Sequence, residues 1–244
     1  MNHNKGNILF IILIAIGLFA LLGSVVMDGE TTSNKIGEDK AKLYAQDILN
    51  YANAMENTVQ KMMANGVRET DLCFDIDGTY PGGDTGYEHA GCATEANKVF
   101  SPQGGGAKYM VPPSEYFDPA FSSDLRTGLY IFSATAEVYN LPMGTALNDT
   151  DLLMYVFGVK RELCIQLNNM LEFGEKNAEP TVETSSLASV FSTIHFKGSY
   201  TAATFDLGTP GLTIIHGRPA GCLKGGAGGN FENGYTAYFA LHIR

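Results

Sequence analysis

The sequence predicts an α+β fold: a long N-terminal helix, apolar in its first half and amphipathic in its second, packed on an antiparallel β-sheet head. Three observations predict it. Ile8–Met27 is an unbroken run of 20 residues without a charge. Ala41, Ala45, Ile48, Ala52, Met55, Val59 and Met62 recur at spacings of four and three, with Lys42, Asp47, Asn50, Asn53, Glu56 and Gln60 off that stripe, which is the signature of an amphipathic helix. Tyr235–Ile243 alternates, with Tyr235, Ala237, Phe239, Leu241 and Ile243 on one face, as an antiparallel strand with one face on a helix should.

Composition narrows the function classes. The 244 residues are 45% hydrophobic, so a buried core is feasible, while charged residues make up only 17% and glycines number 28. This profile suits a loop-rich secreted or surface domain better than a cytosolic enzyme. Net charge is −10, and Lys5 is the only charged side chain before Asp28; from there on 15 basic residues face 26 acidic ones. No basic cluster exists to neutralise phosphates, so no nucleic-acid partner is expected.

The Ile8–Met27 run would span about 30 Å as a helix, the thickness of a bilayer core. The head MNHNKG carries the α-amino group and Lys5, and acidic residues begin directly after the run. The positive-inside tendency therefore places the N-terminus in the cytoplasm and the rest of the chain outside. A cleaved secretory signal would have a shorter apolar region and a small-x-small site, which Ser24-Val25-Val26-Met27 does not provide. Ala20 and Ser24 form a small-xxx-small pair that would allow close helix approach.

A short polar leader ending in Lys5-Gly6, followed at once by an apolar helix, resembles the type IV prepilins and pseudopilins. The resemblance implies a prepilin peptidase that cuts after Gly6, leaving Asn7 as the first, methylated, mature residue. It implies an inner-membrane precursor, and then an extracellular or periplasmic filament of the type IV pilus or type II secretion kind, built from copies of this chain and related pilins. The assembly helix would present Ile8, Ile11, Ile14, Ala20 and Ser24. Most of the family has a glutamate at the fifth mature position; Ile11 stands there in this chain, and some minor pseudopilins at filament tips also lack the glutamate. The organisation implied is a leader over 1–6, a membrane-spanning and assembly helix over 7–27, a hinge and amphipathic helix over 28–66, and a pilin-like α+β head over 67–244. The alternative is a single-pass anchored exoplasmic protein that binds or adheres without polymerising.

Residues 28–37 are polar, contain Gly29 and Gly37, and read as a hinge or partly melted helical segment. The amphipathic helix should end near Gly66, a suitable residue just past a helix C-terminus. Residues 67–128 read as an ordered loop region. Strands are expected at Leu129–Tyr139, Leu187–Phe196, Tyr200–Phe205, Leu212–His216 and Tyr235–Ile243. Between the first two lies a helical stretch, with Asn148, Asp149 or Thr150 as N-cap candidates, divided at Gly158 and carrying a Val159, Leu163, Leu167, Met170/Leu171 stripe.

Four cysteines outside the cytoplasm are expected as two disulfides, for which three pairings exist. Cys73 and Cys92 would staple the Gly-rich loop region. In type IVb pilins a cysteine in the helix before the C-terminal sheet bonds to one near the chain end, and this resemblance implies Cys164–Cys222. No paired Cys/His spacing supports zinc. Asp75, Asp77 and Asp84 are calcium candidates, but Thr79 and Tyr80 at the fifth and sixth positions and the missing glutamate at the twelfth break the EF-hand pattern, so a solvated acidic turn is the better reading. Lys224–Gly229 lacks the spacing of either phosphate-binding glycine loop and reads as a hairpin connection. Ser192, His195 and Asp206 form a triad only on paper, with no nucleophile-elbow motif. Neither catalysis nor a cofactor is expected.

Overall fold

The computed structural model describes residues 29–76, 86–124, 126–138, 150–183, 195–200, 205–207, 217–226 and 232–244. The leader and the assembly-helix residues Gly6, Asn7, Ile8, Ile11, Ile14, Ala20 and Ser24 lie outside them, as do the expected strand residues 187–194 and 212–216. Among the described residues no helix is long and apolar enough to cross a membrane. The chain divides into two compact units, Met1–Ala41 and Lys42–Arg244. In the first, the described residues are the opening turns of helix α1 (Gly29–Ala64). Residues 29–37, expected as a hinge or partly melted segment, are helical in the structure.

The second unit is α+β. From Ala45 onward the predicted stripe is buried: Ala45, Ile48, Ala52, Met55, Val59 and Met62 all belong to the core, and Tyr51 joins them. Tyr51 stands three residues after Ile48 and four before Met55, on the same side of the helix as the stripe, where its ring meets Tyr130 of the first strand, centroids 4.3 Å apart. The helix ends two residues before Gly66, whose φ of +94° supplies the left-handed turn that closes helices. Its last carbonyls are satisfied by the Asn65, Gly66 and Val67 amides.

Six strands form one sheet in the order β3-β5-β6-β2-β1-β4, with β1 at Tyr130–Val138, β2 at Asp151–Val159, β3 at Val182–Glu183, β4 at Phe205–Leu207, β5 at Ala220–Gly225 and β6 at Tyr235–His242. The central four, β5-β6-β2-β1, are antiparallel, but the short edge strands β3 and β4 run parallel to their neighbours, so the sheet as a whole is mixed. Opposed pairs in an antiparallel sheet point to the same face. The pairs Tyr130↔Val156, Phe132↔Met154, Val156↔Ala237 and Cys222↔Ala237 therefore place Tyr130, Phe132, Ala237 and Cys222 on one face. That face receives α1 through Tyr51, and Phe74 of the loop region stacks on Phe132 with centroids 4.4 Å apart.

The stretch before the second helix corrects the expectation. Residues 151–159 were expected to be helical, and they form β2 with all nine side chains buried. Both faces of this central strand are covered: Met154 and Val156 look toward α1, while Phe157 on the other face lies under the Arg126 guanidinium, 5.5 Å from its ring centroid. Gly158 divides nothing helical. It sits at φ +71° in a bulge between Phe157 and Val159, a role suited to glycine. Only Arg161–Met170, helix α2, is helical there, with Leu163, Cys164 and Leu167 buried against β5 and β6. Asn148 and Asp149 lie outside the described residues, and Thr150 precedes a strand rather than capping a helix.

Candidate functional site

Two disulfides fasten the loops to this frame. Cys73–Cys92 closes a 19-residue separation and Cys164–Cys222 one of 58, so the structure brings together both pairs singled out in the sequence. Cys73 is held from both sides, its N–H donating to the Asn97 carbonyl and its carbonyl accepting the Val99 N–H. The His89 imidazole stands beside this bridge, forming with Cys73 and Cys92 a group whose donor atoms lie within 4.8 Å of one another. The sulfurs are bonded to each other, which removes the thiolates a metal would need. Both ring nitrogens are also engaged: Nδ1 accepts the Gly91 N–H at 3.1 Å, and Nε2 lies 3.0 Å from the Leu72 carbonyl. The ring is therefore a structural clip for the loop.

The calcium candidates are not assembled among the described residues. Asp75 is half-buried beside Cys73, whose sulfur accepts its N–H at 3.4 Å, while Asp77 and Asp84 lie outside them. Of the paper triad, Ser192 lies outside them, Asp206 falls in β4, and His195 is buried with its ring against Tyr87 at 4.4 Å. Lys224 and Gly225 belong to β5, while Ala227, Gly228 and Gly229 lie outside the described residues.

A charged cluster closes the end of β6. Glu69 pairs with His242 at 3.1 Å and with Arg244 at 3.2 Å, and the Arg244 guanidinium covers the Tyr200 ring at 4.5 Å. Asp151 is buried beneath it and accepts the N–H groups of Val138 at 2.8 Å and Arg244 at 3.1 Å. Burial raises the Asp151 carboxyl above its ordinary value, and the two hydrogen bonds and the nearby His242 and Arg244 charges offset this only in part. A second ion pair, Arg126–Asp124 at 2.7 Å, sits on the β2 face beside Phe157. There burial pushes the Asp124 carboxyl up, but its hydrogen bonds with Arg126 and that residue's charge outweigh it and the carboxyl is lowered.

A cleft of about 590 Å³ lies between α1 and the segment that leads from Ala107 to Tyr116. The Tyr51, Tyr116 and Tyr130 rings form its floor, Met110 and Val111 stand exposed on one wall, and Asp47 and Asn50 stand on the helical wall. Tyr116 donates its hydroxyl to the Asp47 carboxylate at 3.2 Å and packs against Tyr44 at 4.9 Å. Burial pushes all three floor hydroxyls well above the usual tyrosine range, so they stay protonated. A second cleft of about 490 Å³ separates Leu49, Asn53 and Gln60 of α1 from Phe239 and Leu241 of β6. Sequence reasoning placed Asp47 off the apolar stripe and passed over the tyrosines. The only signal was Tyr44 and Tyr51 one heptad apart, and their partners Tyr116 and Tyr130 come from distant segments.

Comparison of the chain with models of known families, with curated proteins and with solved structures finds no match. The fold defines a disulfide-stapled α+β domain in which a helix crosses the antiparallel core of a mixed sheet.

Proposed function

We propose that this chain is a pilin-like or pseudopilin subunit, a structural element of a type IV pilus-like or type II secretion-like filament. One observation carries the reading: the order of parts along the chain. A polar leader ending in Gly6 is followed by the uncharged Ile8–Met27 run, and then by a helix whose stripe from Ala45 to Met62 is buried in the core with the antiparallel centre of a mixed sheet. On this reading the apolar run anchors the precursor in the inner membrane with its C-terminal mass outside. After cleavage behind Gly6 the same run packs with its copies to form the filament core. The head carries the exposed surface, stapled by two disulfides where oxidising conditions preserve them. Its role is structural, with no catalysis assigned to it.

Intact mass and N-terminal sequencing of the protein recovered from cells that express its own machinery test the reading. A mature chain beginning at Asn7 with one added methyl group is the expected result, and Gly6→Val should block both maturation and filament incorporation. A chain that still begins at Met1 overturns it in favour of a non-polymerising anchored binding protein, for which the tyrosine-floored cleft is the candidate surface.

A further inference from the structure

Cys73, Cys92 and His89 meet from two separate stretches of backbone. Cys73 is fully buried and held by its own main-chain bonds, its N–H on the Asn97 carbonyl and its carbonyl on the Val99 N–H, each at 2.9 Å. His89 and Cys92 open and close a single turn, in which the Cys92 N–H donates to the His89 carbonyl at 3.0 Å. The Asn97 side-chain amide ties that turn to the same loop through the Gly91 carbonyl at 3.0 Å. The placement of all three side chains therefore rests on hydrogen bonds that do not need the disulfide.

The contacts around them are those of a metal site's outer shell. Because the Gly91 N–H donates to Nδ1, the His89 ring is neutral and its proton, on Nε2, points at the Leu72 carbonyl 3.0 Å away. A metal that takes the Nδ1 lone pair in place of Gly91 keeps the Leu72 bond, and a backbone carbonyl on the other ring N–H is a common partner of ligating histidines. The Asp75 N–H donates to the Cys73 sulfur at 3.4 Å, a contact that favours a thiolate over a thiol. Once the bridge opens, the two sulfurs separate to contact distance, about 3.5–4 Å, which is also the spacing of two thiolates on one zinc ion with bonds of about 2.3 Å. A histidine nitrogen already lies within 4.8 Å of both. His89 and Cys92 are half-buried, so an ion reaches them from solvent.

We propose that reduction of the Cys73–Cys92 bridge turns this clip into a zinc site, with Cys73, Cys92 and His89 as ligands and a water in the fourth position. A phosphine or dithiol reductant supplies two electrons and the two sulfurs take up two protons; Zn2+ then displaces both protons as the thiolates bind it. Oxidation of the thiolates restores the bridge and releases the ion, so zinc and the disulfide are alternative staples of one loop. The test uses the full chain in neutral detergent micelles, reduced with a phosphine in the absence of oxygen and titrated with Co2+ and then with Zn2+. One cobalt per chain is expected, with thiolate-to-cobalt charge-transfer bands and the visible bands of tetrahedral cobalt, all bleached by zinc, which binds more tightly. The oxidised chain should show none of these bands, and Cys73→Ala/Cys92→Ala, which leaves Cys164 and Cys222 in place, should lose them. His89→Gln can still accept the Gly91 N–H, and should weaken cobalt binding by more than about tenfold with an unchanged far-ultraviolet circular dichroism spectrum. A reduced chain without thiolate–cobalt bands, bands that persist without Cys73 and Cys92, undiminished affinity in His89→Gln, or a reduced chain that stays unfolded with zinc present would each overturn the proposal.

Discussion

The side-chain amide of Asn168 occupies the place of a strand residue beside Cys222: its Oδ1 accepts the Cys222 N–H at 2.8 Å and its Nδ2 donates to the Cys222 carbonyl at 2.8 Å. The geometry follows from the pairing of β5. Gly225 bonds inward to Gly234 and Lys224 bonds outward to Thr181, so the backbone groups of Cys222 also face the outer edge. There β3, only two residues long, does not reach them. Asn168 follows Cys164 by four residues, one turn along the same face of α2, so a disulfide and a two-bond amide clamp act on one backbone position. An open edge is a template for unwanted pairing, and here a side chain closes it.

Asn168→Ala should leave the buried N–H and carbonyl of Cys222 without partners, at about 1–3 kcal/mol each before relaxation. The expected loss is about 2–4 kcal/mol by urea denaturation with both disulfides intact. Asn168→Asp separates the two bonds. A carboxylate can still accept the N–H but opposes the carbonyl, so its penalty should shrink as pH is lowered and the side chain regains a donor. A loss below about 0.5 kcal/mol for alanine would show that water replaces the clamp.

How much of this was legible in the sequence depended on whether the residue types of a segment repeat with a helical or strand period, since β6 and β2 are both buried on two faces and only β6 alternates. The α1 stripe and the alternation of Tyr235–His242 were readable because their patterns match the helical and strand periods. Asp151–Val159 was not, because a strand covered on both faces has no reason to alternate and reads as a continuous apolar run, open to mistaking for a buried helix. Ala220–Gly225 carries two glycines and a lysine and offered no strand signal of its own; it is recruited by register with β6 and by the Cys164 bridge. The tyrosine cleft was illegible for a different reason, since its floor joins residues from α1, the loop region and β1.

The two disulfides should differ in worth by the loops they close. Chain-entropy arithmetic gives about 3 kcal/mol for a separation of 19 and about 4 kcal/mol for one of 58. Cys164→Ala/Cys222→Ala should therefore lower the urea midpoint more than Cys73→Ala/Cys92→Ala, and the paired variants avoid stray thiols. The reverse order would mean that the His89 clip and the Cys73 backbone bonds depend on their bridge more than α2 depends on its own.

Two glycines should respond to alanine with opposite signs. Gly198 sits at φ +71°, and a Cβ there would lie 2.3 Å from the Thr70 carbonyl oxygen and 2.8 Å from the His89 ring. Strain and overlap together predict a loss of about 2–4 kcal/mol. Gly37 is helical with nothing within 4 Å of an added Cβ, so Gly37→Ala should stabilise α1 by about 0.5–1 kcal/mol. Thermal melts of the two variants against the parent decide both signs.

Asp151 should give stability a slope with pH opposite to that of most carboxylates. Burial raises its folded value above the ordinary 3.8, so between these two values the native state holds the proton more often than the unfolded chain does. Unfolding free energy changes with pH as the protons bound in the unfolded state less those bound in the native state; here that difference is negative. The contribution of Asp151 is therefore greatest in acid and declines as pH rises from about the unfolded value through the raised folded one. Asp151→Asn removes this decline along with one of the two acceptors that hold Val138 and Arg244. The variant should be less stable at every pH, and its melting temperature should rise more steeply, or fall less steeply, than the parent's between pH 4 and 6. Parallel profiles would show that the Glu69, His242 and Arg244 cluster above it, rather than burial, governs the ionisation of Asp151.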